Sequence, residues 1–363
     1  MRAGIPRRLI LAPLLLLLSG GGLRAPAAEA DGAKPAAPQP VRIVSYNLYN
    51  FTSLKQPQLK SPESRAMVAA MLGKLNPDIA VLIELSGRDA LDELAGLLKK
   101  NGADYPFRSL VEPALDPARR KKEQEFERRI GILSKIKPAE VRHELNQCYN
   151  LNGRSVPVLR GFAHVVYKWP NGYTLHLLAA HLKSKLFDPL GQTDMRRYEA
   201  RQLRYVVAGI LAEDAGANVL VVGDFNDSPD SSPLTTLYSR RSRNPRVQLF
   251  DLRPQDAAGL AWTHLQDESD DYSRIDYALA SHGLLPEIDL ARTFIPGFAD
   301  WYIASDHRPL VITVNPADGP EEKGAPELFE RNIRKAATPQ SFFHEGPVSG
   351  TRKARKGTAA DDA

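Results

Sequence analysis

The sequence predicts an α+β fold in which two mixed β-sheets pack face to face and helices cover their outer sides. Short apolar runs alternate with amphipathic segments, which predicts strands alternating with helices. GFAHVVYKW and YTLHLLAAH, joined by Pro170-Asn171-Gly172, predict a hairpin, which argues against a purely parallel sheet. A length of 363 residues with 25% charged side chains is typical of a chain that buries one large core or two modest ones.

Residues 1–30 have the composition of a secretory signal peptide. MRAGIPRR is basic, LILAPLLLLL is apolar but too short to span a bilayer, and APAAEA supplies small residues before a cleavage site expected near Ala30. An uncleaved membrane anchor is the alternative, and Pro13 argues against it because it interrupts the apolar run. No later stretch has the length and apolar character of a transmembrane helix. We therefore expect a secreted or periplasmic protein of a bacterial cell envelope.

Charge and cysteine content limit the classes of protein to consider. Without residues 1–30 the chain has 44 basic and 42 acidic side chains, so its formal charge falls from +5 to +2. The basic pI therefore does not by itself indicate nucleic-acid binding. Cys148 is the only cysteine, so no intramolecular disulfide can form and a small disulfide-stapled module is excluded.

Composition also predicts the domain boundaries. Residues 31–40 form an Ala- and Pro-rich linker, and the alternating pattern VRIVSYN predicts the first strand. The pattern PLVITVN predicts the last strand, so the domain spans 41–315. Residues 316–363 carry scattered Pro, Gly and charge, and we expect a flexible charged tail with a short helical candidate at 326–337.

Within the domain, helix and strand signals follow one another. DIAVLIE predicts a buried strand with an amphipathic helix on either side, and NVLVVGD predicts a second buried strand that follows a long helix. The predicted helices are 63–75, 91–100 and 194–212.

Several predicted strands end on polar side chains. RIVSYN, DIAVLIE, TLHLLAAH and NVLVVGDFN end on them, SRIDYALAS carries one within its apolar run, and SDHRPL precedes the last strand. The residues are Asn47, Glu84, His181, Asp224, Asn226, Asp276, Asp306 and His307. Each alone could be a packed or rim residue. Together they would bury several carboxylates, which is costly unless a cation or hydrogen bonds compensate them.

The ligand types indicate which metal ion would compensate these buried carboxylates. Carboxylate and amide oxygens suit Mg²⁺, Mn²⁺ or Ca²⁺, whereas structural zinc requires several Cys or His ligands. Mg²⁺ is the expected ion, because it is held by one or two carboxylates together with water and substrate phosphate. The remaining acids and histidines are then available for proton transfer.

Several of these segments together resemble the signature set of the endonuclease/exonuclease/phosphatase superfamily, whose fold is that of pancreatic deoxyribonuclease. The motifs, in order, are SYN, LIEL, HLKSK, GDFND, SRIDY and SDHRPL, of which GDFND and SDH are the most specific. The resemblance covers 41–315, and the HLKSK form is similar to that of bacterial secreted nuclease-like members. It implies a four-layer α/β/β/α sandwich with two central mixed β-sheets and a site at one rim of their strands.

The resemblance implies a metal-ligand set. Glu84 would be the principal ligand, assisted by Asp306, with Asn47 close by. Asp224 would orient the attacking water or hold a second metal.

The resemblance also implies the groups that act on the phosphate. Asn226 would donate to a phosphate oxygen, and His181 would be a second histidine facing it. His307 would be a general base or a charge stabiliser oriented by Asp276, since a carboxylate on one ring nitrogen fixes the tautomer and supports the imidazolium.

Basic side chains near these motifs are candidate substrate contacts. Lys183 of HLKSK offers charge to a phosphate, and Arg129, which ends the run DPARRKKEQEFERR, is a second candidate. For Arg129 a solvated charged face is the alternative. Basic segments at 119–122 and 240–246 could follow a polyanion. The acidic DESDDY segment argues against a strong preference for duplex DNA.

The sequence therefore predicts an exported, divalent-metal-dependent phosphodiester hydrolase, most simply a nuclease for DNA or RNA, with no stable protein partner implied. The alternative enzyme is a lipid or small-molecule phosphoesterase, sphingomyelinase-like or inositol-phosphate-like. Trp301 and Tyr302 beside SDH could stack on a base or meet a lipid, and a packing role at the rim is the alternative. A non-catalytic binding domain is the third class, and it would be expected to lack part of the polar set that this chain retains.

Overall fold

In the computed structural model, the described residues are 38–53, 60–113, 128–238, 244, 247–319, 326–327 and 329–330. The predicted signal peptide at 1–30, the basic segment at 119–122 and most of the predicted tail lie outside them, and the segment at 240–246 is described only at Asn244. Among the described residues, no helix combines the length and apolar character needed to cross a membrane.

The first sheet joins the two ends of the domain. Its strands, in order across the sheet, are β15 (Leu310–Val314), β1 (Val41–Phe51), β2 (Ile79–Leu85), β4 (Arg129–Ser134) and β3 (Phe107–Leu110). β1 and β2 are parallel and the other neighbours are antiparallel, so the sheet is mixed. The last strand of the domain therefore lies against the first.

The second sheet contains the predicted hairpin. Its strands, in order, are β11 (Leu249–Asp251), β14 (Asp276–Ser281), β10 (Asn218–Asp224), β9 (Thr174–His181), β8 (Phe162–Lys168) and β5 (Glu140–Val141). β8 and β9 form the hairpin, and β9 and β10 are parallel, as their joining helix requires. Two small ribbons pair β6 (Cys148–Leu151) with β7 (Arg154–Pro157) and β12 (His264–Gln266) with β13 (Asp271–Ser273).

Helices cover the outer faces of both sheets. The first sheet carries α1 (Pro62–Leu75) and α2 (Arg88–Lys100), and the second carries α3 (Gln192–Glu213) and α4 (Ser232–Tyr238). A short α5 (Trp301–Ala304) precedes the SDH motif. α1 begins where Ser61 Oγ accepts a hydrogen bond from Ser64 N and ends at Asn76, which adopts the left-handed conformation. Single 3₁₀ turns occur at Asp267–Ser269, Leu285–Glu287 and Leu290–Arg292.

Three apolar layers separate these four layers of secondary structure. Ile43, Val81, Leu177 and Val222 are fully buried between the sheets, and other apolar sets fill the space under each helical layer. Each such side chain contributes roughly 1.5–3 kcal/mol relative to an exposed one. The predicted four-layer α/β/β/α sandwich with two central mixed sheets is confirmed.

The described residues after 315 pack on this domain. Asp318 Oδ1 accepts a hydrogen bond from Asn218 Nδ2 at 3.0 Å, and Gly319 N donates to Glu287 Oε1 at 3.1 Å. Phe329 is buried edge-on against Phe250, with ring centroids 6.5 Å apart. Residues 316–319 and Phe329 of the predicted tail therefore contact the domain.

Candidate active site

Three neighbouring strands of the second sheet bring polar side chains to one edge. The register places His181 of β9 opposite Asp224 of β10, and Asp224 opposite Asp276 of β14. Gly223 permits this close pairing, because it has a φ of 138° and an added Cβ would lie 2.0 Å from the carbonyl oxygen of Ala180. The glycine of GDFND therefore sets the spacing of β9 and β10 at this edge.

The first sheet supplies Glu84 through an irregularity in its pairing. The register between β2 and β4 shifts between Ile83 and Leu85, and Glu84 itself has a φ of 68°. A non-glycine residue in the left-handed region costs free energy and is held there by its surroundings. Glu84 Oε2 accepts a hydrogen bond from Asn50 N at 2.9 Å, which fixes the carboxylate at the sheet edge.

Asn47 connects the two sheets. Its Nδ2 donates to Asp224 Oδ2 at 3.0 Å, while its Oδ1 accepts from Tyr49 N at 3.0 Å. Asp224 Oδ1 accepts a further bond from Asn226 N at 2.9 Å. Ser305 Oγ donates to the Asn47 carbonyl at 2.8 Å, so the segment before Asp306 is joined to the same point.

His307 and Asp276 form a buried pair. His307 Nδ1 lies 2.8 Å from Asp276 Oδ2, and His307 Nε2 lies 3.9 Å from Asp224 Oδ2 and 3.8 Å from Asp306 Oδ1. Burial acts to lower the pKa of His307, but the negative charge of Asp276, followed by those of Asp224 and Asp306, raises it to about 10. His307 is therefore an imidazolium at neutral pH, with Nδ1–H donating to Asp276.

His181 has the opposite charge state. Its Nε2 lies 3.5 Å from Asp224 Oδ2 and 3.8 Å from Glu84 Oε1, and its buried Nδ1 has no hydrogen-bond partner among the described residues. Burial, followed by the positive charges of Arg160 and Arg128, lowers its pKa far below the usual value. His181 is therefore neutral beside the cationic His307.

Two carboxyl groups of the site, Asp224 and Asp306, have raised pKa values, and this suits a cation site. Burial and then the charge of Asp276 raise the pKa of Asp224 to about 7. Burial, opposed by His307 and reinforced by Glu84, also raises the pKa of Asp306. A divalent ion would relieve this repulsion, and carboxylate oxygens are ligands that Mg²⁺ and Mn²⁺ accept.

Three residues predicted to contact the substrate, Asn226, Lys183 and Arg129, each have a polar partner within the protein. Asn226 Nδ2 donates to the Leu182 carbonyl at 3.0 Å, which leaves its second amide hydrogen for a phosphate. Lys183 Nζ donates to the Leu186 carbonyl at 3.1 Å, within its own loop. Arg129 Nη1 lies 3.8 Å from Glu112 Oε1, and its neighbour Arg128 is the residue beside the site, with Nε 3.5 Å from Glu84 Oε1.

Two further residues lie at the site outside the recognised sequence motifs. Arg160 lies beside β9, where its Nη1 donates to the carbonyl oxygens of His181 at 3.4 Å and Leu182 at 3.1 Å. His264 forms an isolated bridge to His307, and its Nε2 lies 3.7 Å from Asp306 Oδ2. Burial, followed by the charge of His307, lowers the pKa of His264 to about 4, so this imidazole is neutral. Its place in WTHLQ, just before the acidic DESDDY segment, was the available clue.

Helix α3 supports the two loops that carry the site. Arg196 Nε lies 2.8 Å from Asp227 Oδ2, and its Nη1 donates to the Lys183 and Ser184 carbonyls at 3.1 and 3.2 Å. Glu199 Oε2 accepts from Lys183 N at 2.6 Å, and burial raises the pKa of Glu199 to about 7. Arg196 and Glu199 of α3 therefore bind both the loop after His181 and the GDFND loop.

Solved structures similar to this chain share its fold at low sequence identity. The human Nocturnin catalytic domain is 15% identical and has a TM-score of 0.52 over 76% of this chain and 93% of its own. An endonuclease/exonuclease/phosphatase from Bacteroides vulgatus is 14% identical, with a TM-score of 0.50 over 77% and 100%. TDP2 from Caenorhabditis elegans is 17% identical, with a TM-score of 0.50 over 76% and 75%. No curated protein matches the sequence.

The family comparison covers the whole of the site. The model of the endonuclease/exonuclease/phosphatase family matches residues 44–307, which include every motif residue from Asn47 to His307. This span exceeds half of the chain, and the four-layer sandwich agrees with it. The chain belongs to the endonuclease/exonuclease/phosphatase family.

Proposed function

We propose that this protein is an exported, divalent-metal-dependent phosphodiesterase that acts on nucleic acid. Membership of the family supports a metal-dependent hydrolase of phosphoester bonds. The observation that carries the proposal is the meeting of Asp224 and Asp306 with the Asp276–His307 pair at one edge of the sandwich, where His181 Nε2 lies within 4 Å of both Asp224 and Glu84. Such a site combines oxygen ligands for a cation with a positive group for a phosphate.

The carboxylates would hold the cation. Glu84 and Asp306 are the proposed principal ligands, with Asn47 and Asp224 beside them, and these oxygen ligands are compatible with Mg²⁺, Mn²⁺ and Ca²⁺. The ion would supply a Lewis acid that neutralises the charge of the phosphodiester.

His307 and His181 would have different roles at the phosphate. A cationic His307 would donate from Nε2 to a phosphate oxygen, so of its two predicted roles we favour charge stabilisation over general base. Asp276 would keep that imidazolium in place. Asp224, which accepts hydrogen bonds from Asn47 and Asn226, would orient the attacking water and accept its proton. The neutral His181 and the second amide hydrogen of Asn226 would contact the phosphate.

Charge and aromatic side chains around the site support a single-stranded substrate. Arg128 and Arg160 lie near Glu84 and His181, where they can meet phosphates. Tyr302, at 62% exposed, offers a face on which a base can stack. The acidic segment DESDDY closes the β12–β13 ribbon, whose first residue, His264, lies 3.7 Å from Asp306, so this segment is at the same rim and would repel the second strand of a duplex.

A lipid phosphodiester is the second candidate. Leu186 and Phe187, in the loop that follows HLKSK, are 72% and 83% exposed. Adjacent apolar side chains at this exposure are typical of an interaction surface, and a lipid interface would cover them. This observation favours a lipid over an inositol phosphate.

The first experiment is a substrate panel with the mature protein. Single-stranded DNA, duplex DNA, RNA, sphingomyelin, inositol phosphates and a bis-aryl phosphodiester would be offered with Mg²⁺, Mn²⁺ or EDTA, and His307→Ala would be run alongside. We expect metal-dependent cleavage of single-stranded nucleic acid that fails in EDTA and in the variant. Cleavage of sphingomyelin alone would transfer the proposal to lipids, and no cleavage by folded, metal-loaded protein would refute the enzymatic function.

Export has its own test. Expression of the full chain in a bacterial host, followed by N-terminal sequencing of the periplasmic or secreted product, should give a mature protein that begins near residue 31. A product that keeps residues 1–30 in the membrane fraction would support the uncleaved anchor instead.

A further inference from the structure

The ribbon β12–β13 places a third imidazole at the catalytic edge, on the side of Asp306. His264 begins β12 and bridges His307, with ring centroids 4.7 Å apart. Its Nε2 lies 3.7 Å from Asp306 Oδ2, and the backbone of the next residue, Leu265 N, donates to the Asp306 carbonyl at 3.0 Å. The position of His264 relative to Asp306 is therefore fixed by both side chain and backbone.

The two ring nitrogens of His264 have different surroundings. Nδ1 lies 3.3 Å from Ser273 Oγ, while Nε2 faces the carboxylate. If Nδ1 carries the proton and donates to Ser273, the lone pair of Nε2 points to the Asp306 side. A ligating histidine commonly donates its other N–H in this way, because that bond fixes the tautomer and the ring orientation.

The spacing fits coordination of one ion. Two ligands about 2.1 Å from one cation lie roughly 3–3.5 Å apart, so the 3.7 Å between His264 Nε2 and Asp306 Oδ2 needs only a small side-chain adjustment. Ligating atoms of His264, Asp306 and His307 all lie within 4.8 Å of one another. In this group, His307 Nδ1 is engaged by Asp276 at 2.8 Å, whereas His264 Nε2 faces the Asp306 carboxylate at 3.7 Å, so His264 is the histidine placed to supply a ligand beside Asp306.

We propose that His264 Nε2 coordinates the catalytic cation together with Asp306, giving a mixed nitrogen and oxygen ligand set that selects Mn²⁺ over Mg²⁺. Imidazole nitrogen binds transition ions better than it binds Mg²⁺, whose preferred ligands are oxygens. This inference rests on the proposed metal site and adds a ligand to it. It also predicts which of the compatible ions the protein prefers.

The test measures metal binding directly. Calorimetric titrations with Mn²⁺ and with Mg²⁺ would compare the wild-type mature protein, His264→Asn and the control His282→Asn, which removes an imidazole just after β14, at the end away from Asp276. We expect the Mn²⁺ dissociation constant to rise at least about tenfold in His264→Asn, with the Mg²⁺ constant changed less than about twofold. The control should keep both wild-type constants.

A spectroscopic readout identifies the ligand. Electron spin echo modulation of bound Mn²⁺ should show ¹⁴N coupling that disappears in His264→Asn and persists in His282→Asn. An unchanged Mn²⁺ constant, an equal loss for both ions, or persisting ¹⁴N coupling in His264→Asn would overturn the proposal. If His264→Asn unfolds, His264→Gln provides the second variant, with near-ultraviolet circular dichroism as the folding check. His264-dependent Mn²⁺ binding in a protein that cleaves no substrate would support this inference and count only against the proposed function.

Discussion

The carboxylate of Asp276 lies 2.8 Å from His307 Nδ1, and both side chains are buried at the edge where the two sheets meet. Asp276 begins β14 and His307 precedes β15, so the pair joins a strand of one sheet to the approach of a strand of the other. This contact keeps a positive charge inside the protein at neutral pH. It is the relationship on which the proposed chemistry most depends.

Replacing Asp276 should lower the pKa of His307 and so remove its positive charge at neutral pH. In Asp276→Asn we expect the pKa of His307 to fall from about 10 toward or below 6.5, because burial then acts without the opposing carboxylate. Activity at neutral pH should fall by about 10²- to 10⁴-fold. NMR titration of the His307 ring and kcat/KM on the cleaved substrate would measure both effects. Asp104→Asn, which removes an exposed carboxylate paired with Lys99, is the control; a His307 pKa that stays near 10 in Asp276→Asn would contradict the assignment.

Metal removal should destabilise the protein. A cation that binds only the folded state adds about 2.7 kcal/mol at a concentration 100 times its dissociation constant. We therefore expect Mn²⁺ or Mg²⁺ to raise Tm above its value in EDTA, and Glu84→Gln to lose most of this rise. Differential scanning calorimetry with and without EDTA would measure it. An equal metal-induced rise in the wild type and in Glu84→Gln would remove Glu84 from the ligand set.

Gly223→Ala should disrupt the catalytic edge. The new Cβ would collide with the Ala180 carbonyl, and the required φ of 138° is strained for alanine, so we expect a loss of at least about 3 kcal/mol in unfolding free energy. Urea denaturation provides the measurement. Gly209→Ala in α3 is the matched control, because nothing lies within 4 Å of its added Cβ, and it should stabilise the helix by about 1 kcal/mol. Similar stabilities for the two variants would refute the close-pairing argument.

Arg196→Met should weaken both the fold and catalysis. The substitution leaves Asp227 and two loop carbonyls without their donor, which should cost about 2–3 kcal/mol, and the loops after His181 and around Asn226 should lose their fixed spacing. We expect kcat to fall more than KM rises. Arg197→Met, whose pair with Asp194 is exposed, should change stability by less than about 0.5 kcal/mol. Normal kcat in folded Arg196→Met would show that α3 does not position these loops.

Glu199 should make stability depend on pH. Its folded pKa of about 7 lies above the usual value of 4.5, so the folded state binds the proton more tightly and stability is lost as pH rises from about 4.5 to about 7. Glu199→Gln keeps an acceptor for Lys183 N and should be more stable than the wild type by up to about 3 kcal/mol at pH 8, with little difference at pH 4.5. Urea denaturation at both pH values measures this difference. Glu213→Gln, at the exposed end of α3, is the control; a constant gap for Glu199→Gln at both pH values would exclude this linkage.

Much of the site could be predicted from the sequence because its residues end recognisable strands. The pattern NVLVVGDFN places Asp224 at the end of a buried strand, and TLHLLAAH does the same for His181. Parallel neighbours end at the same edge, so their proximity follows from the pattern. Arg160 and His264 follow no such rule, since each lies outside the strands of the two large sheets and reaches the site only through their folding.

The sequence by itself determined the layers of the fold, its main strands and helices, and the set of carboxylates and histidines at the sheet edge, because hydrophobic periodicity and motif spacing are local properties. Tertiary structure decided which arginine lies beside Glu84. Arg128 and Arg129 are adjacent at the start of β4, and only the folded chain places Arg128 there. It also decided that His307 is charged while His181 and His264 are neutral. A pKa depends on burial and on neighbouring charges, and those neighbours come from distant parts of the chain.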